Sequence, residues 1–420
     1  MNVTYHDIVI VGAGPAGLAA AAAAREAGAE DILLIERDGM AGGILNQCIH
    51  NGFGLHTFKE ELTGPEYAQR FLDRVNELKI PIQLNSMVLD ISGDKVITCT
   101  GRENGLEQIQ AKAIVLCMGC REKPRGAMDI AGSRPAGVYS AGTVQRLVNM
   151  EGFMPGREVV IMGSGDIGLI MARRLTLEGA HVIGVCNRSP YSSGLRRNIV
   201  QCLDDFGIPL MTCHTVTEIH GRERLEAVTI SEVGPDKKPI PGSGVRYPCD
   251  TLLLSVGLQP ENELSESAGI RMDRVTGGPV VNEQLVTSIP GVFACGNVLH
   301  VHDLVDYVSE EAGRAGRSAA DYVLGRTVSG GSIVQLRGEN GVRYSVPQSV
   351  DTASMPESVT VRFRVANQYL GRYLSCYVDG VRISHRKKPI MTPGEMEQYE
   401  LKRSDINENT REVVFRIDDD

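Results

Sequence analysis

Two glycine-rich stretches carry the strongest chemical signal in the chain. The first, residues 12–17, reads Gly-Ala-Gly-Pro-Ala-Gly and is followed 19 residues later by an acid, Glu36. In such a stretch Gly12 permits a tight turn, Gly14 lets the backbone approach a pyrophosphate, and Gly17 allows a helix to pack closely on a strand. The helix that opens at Pro15 and Ala16 offers its N-terminus to an anion, and Glu36 accepts hydrogen bonds from a ribose. The second stretch, residues 163–168, reads Gly-Ser-Gly-Asp-Ile-Gly, so that Gly163, Gly165, Asp166, Ile167 and Gly168 repeat the pattern. Its acid position holds Asn187, followed by Arg188. A neutral residue beside an arginine accommodates a ribose 2′-phosphate, as in NADP, and Arg196 and Arg197 could assist. Asn187 could equally hold NAD through its amide, and another adenine nucleotide, or none, stays open at this second site.

Two smaller sets have chemically useful residue types. Cys117 and Cys120 share the C-x-x-C spacing of redox and metal motifs, but no second pair completes a four-ligand cluster. They end an apolar run, so packing is the expected role. His300, His302 and Asp303 have the composition of a metal set, yet they stand at the entry to a helix, where such residues cap and solvate. No metal is expected.

Strands and helices must hold these residues. Residues 7–11 read as a short buried strand, 15–27 as an Ala-rich helix and 31–35 as the next strand, ending at Glu36. The unit repeats with a strand at 158–161, a helix running to Glu178 and a strand at 181–185. Between the copies, 82–91, 95–101 and 107–111 read as short strands before a buried strand at 113–117. Further buried strands are expected at 251–256 and 292–294, and a closing helix at 303–324. From Ser329 onward alternating runs at 359–365, 373–378 and 413–417 suggest a separate β domain, with a solvated basic run at Arg386, Lys387 and Lys388.

The 420 residues suit two or three domains, and 43 basic against 52 acidic side chains give a net charge of −9, which argues against nucleic acid as a partner. The run 8–24 has too many Gly, Pro and Ala residues for a membrane span. Ten cysteines are too dilute for a disulfide scaffold, and the first residues lack the basic start of a signal peptide. A cytoplasmic protein with no transmembrane segment is expected.

In order along the chain, the first glycine loop with Glu36, the pair Gly42-Gly43, the run 113–118 ending in Gly119-Cys120-Arg121, the second glycine loop, the segment 252–260 and the segment 289–297 resemble the two-dinucleotide-domain FAD/NAD(P)-dependent oxidoreductases. The resemblance covers about residues 5–325. It implies an α/β fold with two Rossmann-like dinucleotide-binding domains, the second inserted in the first. The expected boundaries are 1–124 with 250–328 for FAD, 125–249 for NAD or NADP, and 329–420 for the C-terminal β domain. FAD contacts are implied at Gly12, Gly14, Pro15, Ala16, Gly17, Glu36, Arg37, Gly42, Gly43, Ile44, Val88, Met118, Gly119, Gly296 and Asn297. Nicotinamide nucleotide contacts are implied at Gly163, Gly165, Asp166, Ile167, Gly168, Asn187, Arg188 and Gly257. Asn297 stands where the family usually has an Asp beside the flavin's ribityl and phosphate region.

The disulfide-reductase branches of this family carry a dithiol, and this chain departs from them. Downstream of Gly43, where one branch has two cysteines, there is Cys48 alone, and where the thioredoxin-reductase branch has C-x-x-C the chain reads Ala-Gly-Thr-Val at 141–144. Cys48 and His50 fall in a loop expected near the flavin ring, as candidates for a role in chemistry there.

The stretches 42–71 and 296–316 resemble a subgroup that includes α-type subunits of opine oxidase, hydrogen cyanide synthase and dye-linked L-proline dehydrogenase, and the flavoprotein that accompanies a glycerol-3-phosphate dehydrogenase-like protein. This implies a FAD-dependent subunit passing electrons between NAD(P)(H) and a partner dehydrogenase that oxidises an amine, amino acid or alcohol. A small iron-sulfur protein is a further expected partner, and an oligomer is expected. A stand-alone NAD(P)H oxidase or reductase of a small acceptor, or a structural nucleotide-binding subunit, are the alternatives. A chain cut near Gly325 is expected to keep FAD and lose its partner or its self-association.

Overall fold

The uncharged run at the start of the chain splits into a strand, Val3–Val11, and a helix, α1 (Pro15–Glu26), with Gly12 at φ 102° turning the chain between them. The structure is a computed structural model that describes residues 3–419. The other α-helices among the described residues are α2 (Gly64–Glu77), α3 (Ala141–Asn149), α4 (Asp166–Leu177), α5 (Arg196–Cys202), α6 (Glu263–Ser267) and α7 (Val305–Val323).

The chain divides into two compact units, Met1–Cys120 with Pro260–Asp420, and Arg121–Gln259. In the first, the strand order is Ile82–Gln83, Ile32–Ile35, Val3–Val11, Gly105–Leu116, Val96–Gly101 and Ser86–Ile91, with Val292–Ala294 also paired to Gly105–Leu116. Val3–Val11 runs parallel to both neighbours, which aligns Val11 with Ile35 and Leu116 and brings the chain exits at Gly12, Glu36 and Cys117 to one edge of the sheet. The two strands expected at 107–111 and 113–117 are one, Gly105–Leu116, because its first half pairs antiparallel with Val96–Gly101 while the strand continues into the parallel core.

Helix α1 owes its alanines to a neighbour. Ala20, Ala21 and Ala24 are fully buried, and α7 lies against the helix with Ala312, Gly313, Ala315 and Gly316 buried. A side chain at Gly316 would overlap the carbonyl oxygen of Ala20, so the two helices approach at backbone distance.

In the second unit five parallel strands lie in the order Val138–Ser140, Thr251–Leu254, Glu158–Met162, His181–Asn187 and Leu210–Thr212. Thr251–Leu254 therefore belongs here, not with the first nucleotide domain as the expected boundary at residue 250 has it. All four of its side chains are buried between two parallel partners, so it sits inside this sheet. A four-stranded sheet built on His214–His220 and Ala227–Glu232 completes the unit.

The C-terminal strands are where the alternating runs place them, at Ser358–Phe363, Tyr373–Val378 and Glu412–Asp418, and they have a core of their own that includes Val334, Phe363, Leu374 and Phe415. They form the expected β-rich domain, which lies in the same compact unit as the first nucleotide fold. Tyr344 and Val346 join the core of the first nucleotide fold, Gln348 exchanges hydrogen bonds with Val281, and Glu283 accepts from the backbone of Asp351 at 3.0 Å and from the Ser354 hydroxyl.

Candidate dinucleotide sites

The N-terminus of α1 is built to be left open. Gly14 occupies the cap position, no side chain caps the helix, and its first turn holds no acid. A Cβ on Gly12 would lie 2.6 Å from the Cys117 carbonyl oxygen, and one on Gly17 would overlap the Gly12 carbonyl oxygen, so both glycines are required by packing alone. Gly14 differs: its missing side chain would meet nothing nearer than the Gly43 Cα at 3.9 Å. That leaves the space a pyrophosphate needs beside the helix N-terminus.

Other expected residues arrive at the same place. Gly42 donates its N–H to Ala13 O at 2.8 Å, Gly43 faces Gly14 so closely that a Cβ would lie 2.9 Å from its Cα, and a Cβ on Gly296 would lie 3.0 Å from Ala16. Glu36 is buried, and its carboxylate accepts from Ala13 N at 2.8 Å and Asp38 N at 2.9 Å. The acid expected to meet a ribose thus also holds the glycine loop, with lone pairs to spare on each oxygen. Met118 and Gly119, the latter at φ 72°, continue from the central strand. Val88 is buried in the core, while Arg37 and Ile44 are exposed.

Two thiols near this loop, Cys48 and Cys295, are shifted away from the thiolate. Burial pushes Cys48 up to about 12, and its Sγ donates to Ile44 O at 3.3 Å. His50 bonds Asn51 O and lies against Phe53. Cys117 and Cys120 turn to different partners: the Cys117 Sγ is 3.5 Å from that of Cys295, and Cys120 accepts from Asn297 Nδ2 at 3.6 Å. The contact with Cys117, together with burial, pushes the Cys295 thiol well up.

The loop after Cys295 holds what the sequence reading missed. His300 and His302 come together, but Asp303 does not join them; it pairs with Arg364. Their partner is Glu311, one turn and a half into α7. Its Oε2 accepts from His300 Nε2 at 2.9 Å, and its Oε1 accepts from His302 Nε2 at 3.1 Å and from the Gly296 N–H at 2.8 Å. All three side chains are 1% exposed or less. Burial alone would raise the Glu311 pKa, but its electrostatic contacts and hydrogen bonds with the two imidazoles outweigh it and hold the carboxyl well below its usual range. Burial pushes His302 down to about 4, so its ring is neutral at neutral pH. The sequence did carry a signal, since Glu311 falls on the helical stripe of Val308, Ala312, Ala315 and Ala319 that α7 buries.

The second unit repeats the cradle. Gly163 has φ 104°, its Cβ would overlap the Ser255 carbonyl oxygen, and a Cβ on Gly168 would lie 2.6 Å from Gly163 O. Gly165 caps α4, and its missing side chain meets only the hydroxyls of Ser193 and Ser255 at 3.8 Å. Asp166 accepts from Leu195 N and Asn198 Nδ2, while Ile167 packs on the unit's core. The Asn187 amide donates to Ser189 O and Tyr191 O, and Arg188 donates to Lys237 O at 2.6 Å. Gly257, at φ 105°, accepts from Lys123 N. At 141–144 the first turn of α3 meets a carboxylate, with Gly142 N donating to Glu122 at 2.7 Å, and burial raises the Glu122 pKa.

Two open glycine cradles, each at a helix N-terminus after a parallel strand, define an oxidoreductase of the two-dinucleotide class. The chain belongs to the pyridine nucleotide-disulphide oxidoreductase family, whose family model matches residues 6–319. FAD and NAD(P) are the cofactors consistent with that family and with both cradles. The HcnB subunit of hydrogen cyanide synthase from Pseudomonas protegens is 26% identical over 62% of this chain, and an opine oxidase subunit from Agrobacterium tumefaciens is 25% identical over 79%. The chain spans 58% and 66% of those two proteins' lengths. A thioredoxin reductase of Listeria innocua is 27% identical over 76% of this chain and 94% of its own. Among solved structures, T. acidophilum thioredoxin reductase (24% identity, 76% of this chain, 98% of that chain, TM-score 0.63) and P. horikoshii L-proline dehydrogenase (20%, 75% and 55%, TM-score 0.54) share the fold. No described helix is long and apolar enough to cross a membrane.

Proposed function

We propose that this chain is the nicotinamide-linked flavoprotein subunit of a multi-subunit dehydrogenase or oxidase. It exchanges reducing equivalents with a partner that oxidises an amine, amino acid or alcohol. The observation that carries the reading is the pairing of two open cradles with the lack of a thiol pair at either position where the disulfide-reducing branches have one. Relatives named as subunits of hydrogen cyanide synthase, opine oxidase and sarcosine oxidase support it.

FAD, when bound, would supply a ring that holds two electrons and exchanges them as a hydride with the nicotinamide, so that electrons released by the partner's substrate reach NAD(P). The chain's residues bind and orient. Gly14 and the α1 N-terminus would receive the pyrophosphate, Glu36 the adenosine ribose, and Asn297 the flavin's phosphate side. Gly165 and the α4 N-terminus would receive the second nucleotide. Near its ribose the side chains of Asn187 and Arg188 are already tied to backbone carbonyls, which leaves Arg196 and Arg197, exposed at the start of α5, as the cations for a 2′-phosphate.

Affinity purification of the tagged chain from its native cells tests the assignment. A co-purifying chain should appear, and an amine, amino acid or alcohol added to the complex should bleach the flavin. Rapid NAD(P)H turnover by the isolated chain with oxygen or a small acceptor, unchanged by any co-purified chain, would show a stand-alone enzyme instead.

A further inference from the structure

The buried carboxylate of α7 stands behind the loop that the flavin reading uses, and it is reached from the C-terminal sheet. Gly296 has φ 74° and no room beside Ala16, so a side chain cannot anchor it; its N–H is held by Glu311 instead. Residue 302 returns to the same loop, its N–H donating to Asn297 Oδ1 at 3.0 Å. The loop thus closes on Glu311 through Gly296, His300 and His302.

The fourth partner comes from far along the chain. Arg362, in the strand Ser358–Phe363, is 1% exposed; its Nη1 lies 3.9 Å from Glu311 Oε2 and its Nη2 donates to Glu310 at 2.8 Å. Its guanidinium also lies over the Tyr307 ring, 4.9 Å from the centroid. Two residues on, Arg364 ties Val301 O and Asp303, at the other end of the loop. Residues 296–303 are therefore clamped between α7 and the C-terminal sheet.

We propose that Glu311 is the positioning residue of the flavin loop, fixed by His300, His302 and Arg362, so that the C-terminal β segment is a working part of the flavin site. This rests on FAD occupying the first cradle. A buried carboxylate with its N–H donors all in place orders the backbone it holds, and removing it leaves several donors unmatched at once. His300, His302 and Glu311 could be read as a metal set, with ligand atoms within 4.8 Å of one another. Hydrogen bonding describes them better. Both Nε2 atoms face carboxylate oxygens, both Nδ1 atoms are without a hydrogen-bond partner, and a guanidinium already faces the carboxylate. That is the pattern of imidazoles that donate from Nε2 to a carboxylate.

The test uses the full-length chain, with FAD affinity, the shape of the bound flavin's visible absorption and the metal content measured on wild type, Glu311→Gln, His300→Ala, His300→Gln and Arg362→Met. Far-UV circular dichroism and nucleotide binding at the second cradle report folding. Glu311→Gln and His300→Ala should weaken FAD binding at least tenfold and alter the flavin band. His300→Gln, which keeps an N–H facing the carboxylate, should stay within about threefold of wild type. Arg362→Met should weaken FAD binding severalfold although it lies outside the loop, and it decides the matter if Glu311→Gln does not fold. Folded variants with wild-type FAD affinity and spectrum would overturn the proposal, as would one metal ion per wild-type chain that is lost in His300→Ala. A wild-type chain that binds no FAD at all would instead overturn the functional reading beneath it.

Discussion

Gly14 and Gly17 serve different ends although they are the same amino acid in the same loop. Gly17 is demanded by the fold, because any side chain there overlaps the Gly12 carbonyl, whereas Gly14 has open space before it. Gly14→Ala should therefore fold with near wild-type thermal stability yet bind FAD at least tenfold more weakly, while Gly17→Ala should fail to give a stable protein. Thermal melts alongside FAD titration separate the two; equal losses of stability would refute the assignment of Gly14 to the ligand. Spacing alone made these glycines and Glu36 legible, since turn, helix and acid lie within one strand–helix–strand unit. It could not show that Glu36 also holds Ala13 and Asp38, nor that the Asn187 amide is spent on Ser189 and Tyr191, because such bonds depend on where the backbone turns. Glu311 was missed for a different reason. Its partners lie 9, 11, 15 and 51 residues away, and only the helix and the C-terminal sheet bring them together.

Among the elements, the α1–α7 contact sets the frame of the first nucleotide fold. Gly316→Ala must push the helices apart against the Ala20 carbonyl and should cost about 1 to 3 kcal/mol, the usual range for overpacking a tight contact. A chemical denaturation curve with an unchanged midpoint would show that the helices slide apart freely. The Ala-rich sequence of α1 announced a helix that a neighbour approaches closely, but not which one. Strand order was harder to read. Thr251–Leu254 has the same apolar run whichever sheet receives it, and only pairing with Glu158–Met162 and Val138–Ser140 assigns it to the second unit. Cys117 and Cys120 read as packing from their place at a strand end, and the structure adds that each faces the 295–297 segment.

At the scale of the whole molecule, the C-terminal β domain is bound to the first nucleotide fold more closely than its sequence suggests. Alternation revealed its strands, and a change in composition suggested independence, yet Arg362, Arg364, Gln348 and Tyr344 all engage the first nucleotide fold. Cutting the chain near Gly325 would strand Glu311 without Arg362, Asp303 without Arg364, and Glu283 without Asp351 and Ser354, and uncover part of the core. The truncated chain should be poorly soluble or lack FAD, rather than remain a competent flavoprotein without its partner. Expression of the 1–325 fragment with FAD measured per folded chain checks this; a soluble, yellow fragment would restore the view of the segment as an added surface. The central claim of the proposed function is that a nicotinamide and a flavin, one in each cradle, exchange hydride with no thiol in the path. Its most direct measurement is anaerobic titration of the purified holoprotein with NADH and with NADPH, followed by the visible flavin absorption. Bleaching by about one equivalent of one or both nucleotides, preserved in Cys48→Ser, Cys117→Ser and Cys120→Ser, is the predicted result. A flavin that neither nucleotide reduces, or a loss of reduction by orders of magnitude in one of those variants, would contradict it.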